Sequence, residues 1–160
     1  MTLPQVQLRA ARASDLDAIV ALERATEHAP HWPPAAYAAN LDSTAPQRCL
    51  IVAETDAEIA GFAAGLMHPA LQDSPQRVAE LESVVVAASA RRAGIGRAVC
   101  NAVIEWCRTH GATEMVLEVR ATSTGAIALY TGLGFTQTGR RPRYYRDPED
   151  DAVVMRLEPA

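Results

Sequence analysis

The residues best suited to chemistry in this chain begin with a loop. Arg91-Arg92-Ala93-Gly94-Ile95-Gly96 stands between a β-branched run, Val84-Val85-Val86, and an amphipathic stretch from about Arg97 to His110. A strand that turns through glycine into a helix leaves the first helical amides unpaired, with the positive end of the helix dipole behind them. Such a turn is an anion site. Gly94 and Gly96 let backbone approach a pyrophosphate closely, although tight helix entry alone would ask for the same glycines. Two other phosphate loops are excluded: no Gly-Lys-Ser/Thr follows, and the third glycine of a dinucleotide fingerprint is missing.

The second group is acidic. Glu118 lies among Val116, Leu117 and Val119, in a segment expected to be core, where an ionised carboxylate is costly without a partner or a use. Burial would raise its pKa towards that of a useful base, and an ion pair with Arg120 or another arginine is the alternative reading. Glu80 and Glu82 share one strand face by period-two alternation and are rival bases, or simply solvated groups. Tyr130, on the helix after Glu118, can either protonate a leaving group or pack in the core with its hydroxyl satisfied. His28, His31, His68 and His110 are scattered without metal-ligand spacing, so no metal is expected. Cys49, Cys100 and Cys107 show no CxxC pattern and read as reduced, buried thiols; Trp106 reads as core on the same helix as the last two.

These groups need elements to hold them. Val6 to Arg9 alternates as a strand, and Ser14 reads as an N-cap with Asp17 three residues on, opening a helix from about Asp15 to the Glu27 region that buries Leu16, Ile19, Val20 and Leu22. Pro30, Pro33 and Pro34 break the chain before a short helix through Tyr37 and Leu41, a candidate lid on the substrate side. Cys49–Ala53 and Ile59–Leu66 form a predicted hairpin in which Gly61 and Gly65 argue against regular pairing. The strand Glu80–Val86 leads into the loop and its helix, ended by Gly111; strand Met115–Val119, helix Thr124–Leu133 and extended chain from Phe135 follow. Arg140, Arg141, Arg143 and Arg146 are followed by Asp147, Glu149, Asp150 and Asp151, read as a solvated loop of compensating charge. The class is α/β or α+β around a mixed sheet.

The spacing Arg91-x-x-Gly94-x-Gly96 matches the loop by which GNAT acetyltransferases hold coenzyme A. The stretch Glu80–Met155 resembles the GNAT core, most closely that of the bacterial ribosomal-protein alanine N-acetyltransferase group. The likeness is carried by Leu117-Glu118-Val119-Arg120, Ala126-Ile127-Ala128-Leu129-Tyr130, Gly132-Leu133-Gly134-Phe135 and Arg143-Tyr144-Tyr145, and more loosely by His31-Trp32-Pro33 and Tyr37. It implies a single domain over residues 1–160, with a mixed, largely antiparallel central sheet flanked by about four helices, and acetyl-coenzyme A as co-substrate. Val84, Val85 and Val86 would offer backbone to the pantetheine arm, and Arg91, Arg92, Ala93, Gly94, Ile95, Gly96 and Arg97 would wrap the pyrophosphate. Glu118 would be the base, acting through water, and Tyr130 the acid. Trp32, Tyr37, Tyr144 and Tyr145 would shape a peptide groove.

The implied acceptor is the α-amino group of a protein N-terminus such as that of a ribosomal protein. A small-molecule amine is the alternative, and a non-catalytic acetyl-coenzyme A-binding module a third. Two departures stand out: Ser123 replaces the asparagine of the group, so a coenzyme contact passes to a hydroxyl or is lost, and Ala87-Ala88-Ser89-Ala90 replaces Asp-Pro and an aromatic residue.

Composition narrows the rest. With 160 residues, 49% of them apolar, the chain can bury a real core, and a formal charge of −4 argues against a nucleic-acid partner held by phosphate neutralisation. The start, Met-Thr-Leu-Pro-Gln-Val-Gln-Leu, has no basic-then-apolar leader, and no apolar run is long enough to span a bilayer, so no membrane partner is expected. The expectation is a cytoplasmic monomer or homodimer.

Overall fold

The computed structural model describes residues 5–26, 29, 32–39, 41, 47–91 and 93–158. Seven strands, β1 (Gln7–Ala10), β2 (Arg48–Thr55), β3 (Glu58–Met67), β4 (Val78–Val86), β5 (Glu114–Arg120), β6 (Thr136–Tyr145) and β7 (Asp150–Leu157), form one sheet in the order β1-β2-β3-β4-β5-β7-β6. Every neighbouring pair is antiparallel except β4 and β5. Parallel neighbours need a crossover, and α3 (Ile95–Thr109) supplies it. With α1 (Leu16–Arg24), α2 (Pro34–Ala39) and α4 (Thr124–Gly132), this is the mixed, mostly antiparallel sheet with four helices that the resemblance implies.

The sheet carries a core on each face. Val99, Cys100, Val103 and Cys107 of α3 pack with Ala63, Leu81, Leu117 and Met155 on one side. Ile19 of α1 and Tyr37 of α2 pack with Leu50, Val52, Phe62 and Val85 on the other. Gly61 is required by the first packing: a Cβ there would sit 2.9 Å from Ile95 Cγ2 and 2.9 Å from the Val85 carbonyl oxygen.

Two irregularities interrupt the pairing around β4. Adjacent residues Ala64 and Gly65 of β3 face Ser83 and Leu81 of β4, so Glu82 is an extra residue, a β-bulge. It shifts the alternation of β4: Ala79 and Leu81 belong to the α3-side core before it, Val84 and Val86 pack on that side after it, and Val85 lies with α1 and α2. Secondly, β4 and β5 pair only at Val78–Glu114, Ala79–Met115 and Glu80–Val116. Beyond Glu80 they part.

Several sequence expectations are corrected. Ser14 is not the helix cap; a 3-10 turn over Ala13–Asp15 precedes α1, and the Asp15 carboxylate accepts the Arg12 amide at 2.7 Å. This carboxylate also takes the Arg9 guanidinium at 2.7 and 2.9 Å, which outweighs a serine cap. Helix α1 ends at Arg24, short of the expected Glu27, which lies outside the described residues. Within the β2–β3 hairpin Gly65 pairs in regular register with Cys49, and the irregularity falls beside Gly61, where Ala60 is an extra residue between the Ala53–Gly61 and Glu54–Ile59 pairs. The arginine-rich segment is not a loop but edge strand β6, with Arg140 on Asp151 at 2.7 Å and Arg143 near Glu149 at 3.3 Å. All three cysteines are buried and free, and half-buried Trp106 stacks on His110 at 3.9 Å. Among the described residues no helix is long and apolar enough to cross a membrane.

Candidate active site

Where β4 leaves β5, one edge of each strand loses its ladder partner, and buried backbone polar groups do not stay unpaired without a use. A cleft of about 980 Å³ opens there. Glu80, Leu81, Glu82, Ser83 and Val84 of β4 line it, with Leu117, Glu118, Val119 and Arg120 of β5 opposite. Ser123, Ala126 and Tyr130 close one end, Tyr144 to Pro148 another, and Arg24, Thr26, Ala29 and Trp32 form the wall from the α1–α2 side. The split lets side chains from the two faces of the sheet reach one space.

Glu118 enters it from β5. The expectation of a core-buried carboxylate is not met: Met115, Leu117 and Val119 alternate into the core, and Glu118 turns the other way, its side chain 27% exposed. Its partner is not Arg120 but Arg141 of β6, with Nε 3.3 Å from Oε1, and the nearness of this carboxylate pushes the Tyr144 phenol up in pKa. Arg120 is committed elsewhere. It donates to the Pro148 carbonyl at 2.9 Å and lies 4.6 Å from the centre of the Tyr145 ring, holding the β6–β7 turn against the cleft.

Glu82 and Glu80 reach the same cleft. Glu82, on the bulge, pairs with Arg48 at 2.7 Å; burial nevertheless pushes its pKa up, against the pull of that arginine. Glu80 meets His68 at 3.1 Å. Tyr130 approaches from α4, 9% exposed and 6.1 Å from Phe135 ring to ring, its pKa raised chiefly by burial. Burial keeps the phenol in its proton-bearing form.

The loop lies beyond the cleft, after β4 ends. Gly94 is the residue before α3 and holds φ +79°, the left-handed region, and no atom lies within 4 Å of where a Cβ would point. That open space lies beside the amides of Ile95, Gly96 and Arg97, which as the first of α3 have no partner within the helix, an arrangement able to receive an anion. Ile95 itself is buried in the α3-side core, which anchors the turn, while Arg91, Ala93 and Arg97 are exposed. Arg92 lies outside the described residues. Val84, Val85 and Val86 pair with Ala63, Phe62 and Gly61 on one edge, and among the described residues no strand covers the other. Of the three valines only Val84 also lines the cleft. Ser123 caps α4 without a side-chain hydrogen bond to that helix, whereas Thr122 beside it is held by Asp150 at 2.6 Å.

The predicted aromatic groove is partly revised. Trp32, Tyr144 and Tyr145 line the cleft, but Tyr37 is fully buried beneath it. His31 and His28 lie outside the described residues. Sequence reasoning allowed Glu118 an arginine partner without singling out Arg141, and it missed Glu23, a completely buried carboxylate under the α1–α2 wall. Glu23 follows Leu22 in an otherwise ordinary helical pattern and carries no local signal.

A model of the acetyltransferase (GNAT) family matches residues 16–135, and the chain belongs to that family. Its class is that of the acetyl-coenzyme A-dependent N-acetyltransferases. Among relatives, it is 32% identical over 127 residues to the N-alpha-acetyltransferase RimI of Mycobacterium tuberculosis, covering 79% of this chain and 75% of the relative. It is 33% identical, again over 127 residues and 79% of the chain, to an uncharacterised protein of Mycobacterium leprae, of whose length the match spans 33%. The fold superimposes on the crystal structure of the ribosomal-protein-S18-alanine N-acetyltransferase from Escherichia coli with a TM-score of 0.78 at 28% identity, covering 96% of this chain and 94% of that one.

Proposed function

We propose that this protein transfers an acetyl group from acetyl-coenzyme A to the α-amine of a protein N-terminus, a ribosomal protein being the leading acceptor. The observation that carries the reading is the split between β4 and β5, which brings a carboxylate from β5 and a buried tyrosine from α4 to one cleft. The similarity to enzymes named for N-terminal and S18-alanine acetylation supports the acceptor.

In this mechanism the open edge of Val84, Val85 and Val86 pairs with the pantetheine amides as a strand would. The residues from Arg91 to Arg97, with Arg92 among them, receive the pyrophosphate, and the Ser123 hydroxyl stands where the group has its asparagine. Glu118 takes a proton from the incoming ammonium through water, and the freed amine attacks the thioester carbonyl while an amide near Val84 polarises its oxygen. The carbon–nitrogen bond forms, the carbon–sulfur bond breaks, Tyr130 gives its proton to the departing thiolate, and the second proton shed by the nitrogen returns through water to the tyrosinate. No step requires a metal.

A specific observation favours a second base. Burial raises the pKa of Glu82 and so its basicity, although its tight pair with Arg48 pulls the other way and occupies the carboxylate. Glu118 is favoured because Arg141 is more exposed and sits further away, and so yields more readily to an ammonium.

The test is a screen of N-terminal peptides beside polyamines, amino acids and aminoglycosides for acetyl-coenzyme A-dependent mass gain. Peptides should lead in kcat/KM. If a free amine exceeds every peptide by orders of magnitude, the peptide reading is wrong; acetyl-coenzyme A binding without thiol release in the presence of any acceptor would leave only a binding module.

A further inference from the structure

Glu23 has no solvent exposure, and burying a carboxylate is expensive unless it holds something in place. What it holds is Trp32, just ahead of α2. One oxygen receives the Arg24 guanidinium; the other accepts the Trp32 amide at 3.0 Å and the Tyr37 hydroxyl. Arg24 in turn donates to the Trp32 carbonyl at 3.1 Å, so both polar backbone groups of Trp32, which lies in neither helix nor strand, are satisfied by this one pair. The Trp32 ring lies 5.3 Å from that of Tyr37, and Tyr37 meets Phe62 of β3 edge-on at 5.7 Å, which ties the knot to the sheet. Arg24 and Trp32 line the cleft, and Glu23 does not.

We infer that Glu23 is a positioning residue for the acceptor, fixing Trp32 and the α1–α2 wall of the cleft from beneath. It touches no reacting atom and acts through Trp32. The geometry explains why a carboxylate is needed: three donors converge on two oxygens, and a glutamine would offer one oxygen and add a donor. The inference rests on the proposed acetyl transfer with the acceptor entering beside this wall. The donor site, on the open edge of β4 and the start of α3, is built from other residues.

The chain has two tryptophans, so a Trp106→Phe background leaves Trp32 as the only one. In that background Glu23→Gln should raise the acceptor KM by about tenfold or more, with kcat and acetyl-coenzyme A affinity held within about twofold. Acrylamide quenching of Trp32 should increase by about twofold as the wall loosens. Tyr37→Phe removes one donor, keeps the ring, and should give a smaller change of the same kind; it carries the test if Glu23→Gln does not fold. Unchanged acceptor KM and quenching in the folded variant overturn the inference. So does a proportional loss of acetyl-coenzyme A binding stoichiometry, the mark of general damage. The quenching arm does not depend on the acceptor, so a failed peptide screen and a failed role for Glu23 are told apart.

Discussion

Gly94→Ala isolates the loop from the fold because the structure supplies a matched control. Gly94 precedes α3 at φ +79° and Gly111 follows it at φ +95°, so the same helix has a left-handed glycine at each end. A Cβ at Gly94 meets nothing within 4 Å, and one at Gly111 meets only the Arg77 guanidinium at 3.7 Å, an ordinary contact. Neither alanine clashes, and each pays only for the left-handed backbone, about 1–2 kcal/mol, part of it recovered through the stiffer unfolded chain. Both variants should therefore fold, with melting midpoints lowered by about 2–4 °C. Ligand affinity should separate them. If the pyrophosphate occupies the space into which the new Cβ projects, beside the Ile95, Gly96 and Arg97 amides, its binding to Gly94→Ala meets a further cost of about 1–2 kcal/mol from crowding, a loss of about 5- to 30-fold in Kd. Gly111→Ala, a helix length away, should bind as the parent does. Calorimetric titration with acetyl-coenzyme A beside a thermal melt measures both. Equal affinities in two folded variants, or equal losses in both, would refute the assignment of this turn to the pyrophosphate.

Glu118→Gln and Tyr130→Phe should each lower kcat by at least about tenfold and leave acetyl-coenzyme A affinity within about twofold, with Glu82→Gln milder. The reverse order in steady-state kinetics would move the base to β4. Stability in acid is governed in part by Asp15, whose pKa the Arg9 guanidinium holds at about 2, below the usual 3.8. Because the folded value is depressed, the stabilisation, roughly 1–2 kcal/mol after allowance for solvent around Arg9, is present above about pH 4 and is lost as pH falls through about 2. Asp15→Asn should be less stable at neutral pH by that amount and show a flatter decline between pH 4 and 2 in urea melts; a parallel decline would show that the pair contributes nothing.

What is legible in the sequence is what neighbouring residues decide. Gly94 and Gly96 after three valines, and before a helix whose apolar face repeats at Val99, Val103 and Cys107, specify strand, turn and helix without reference to anything distant. The bulge at Glu82 is different in kind, because counting two residues against one requires the partner strand, and only the register with β3 reveals it. In sequence the arginine-rich part of β6 reads as a loop because an exposed edge strand shows no alternation: all but two positions of β6 face solvent, and Pro142 and the arginines mask the rest. Tyr37 lies away from its expected place on the cleft, and Glu23 is buried without any sequence signal, because each is buried only when the other arrives from a different helix. The same holds for Arg141, which meets Glu118 across two strands. The proposed donor side of this molecule is thus written in contiguous residues, and the proposed acceptor side in contacts between α1, α2, β5 and β6. A family built this way can keep its coenzyme loop while α1, α2 and β6 vary, since none of those elements supplies a residue to the turn that starts α3.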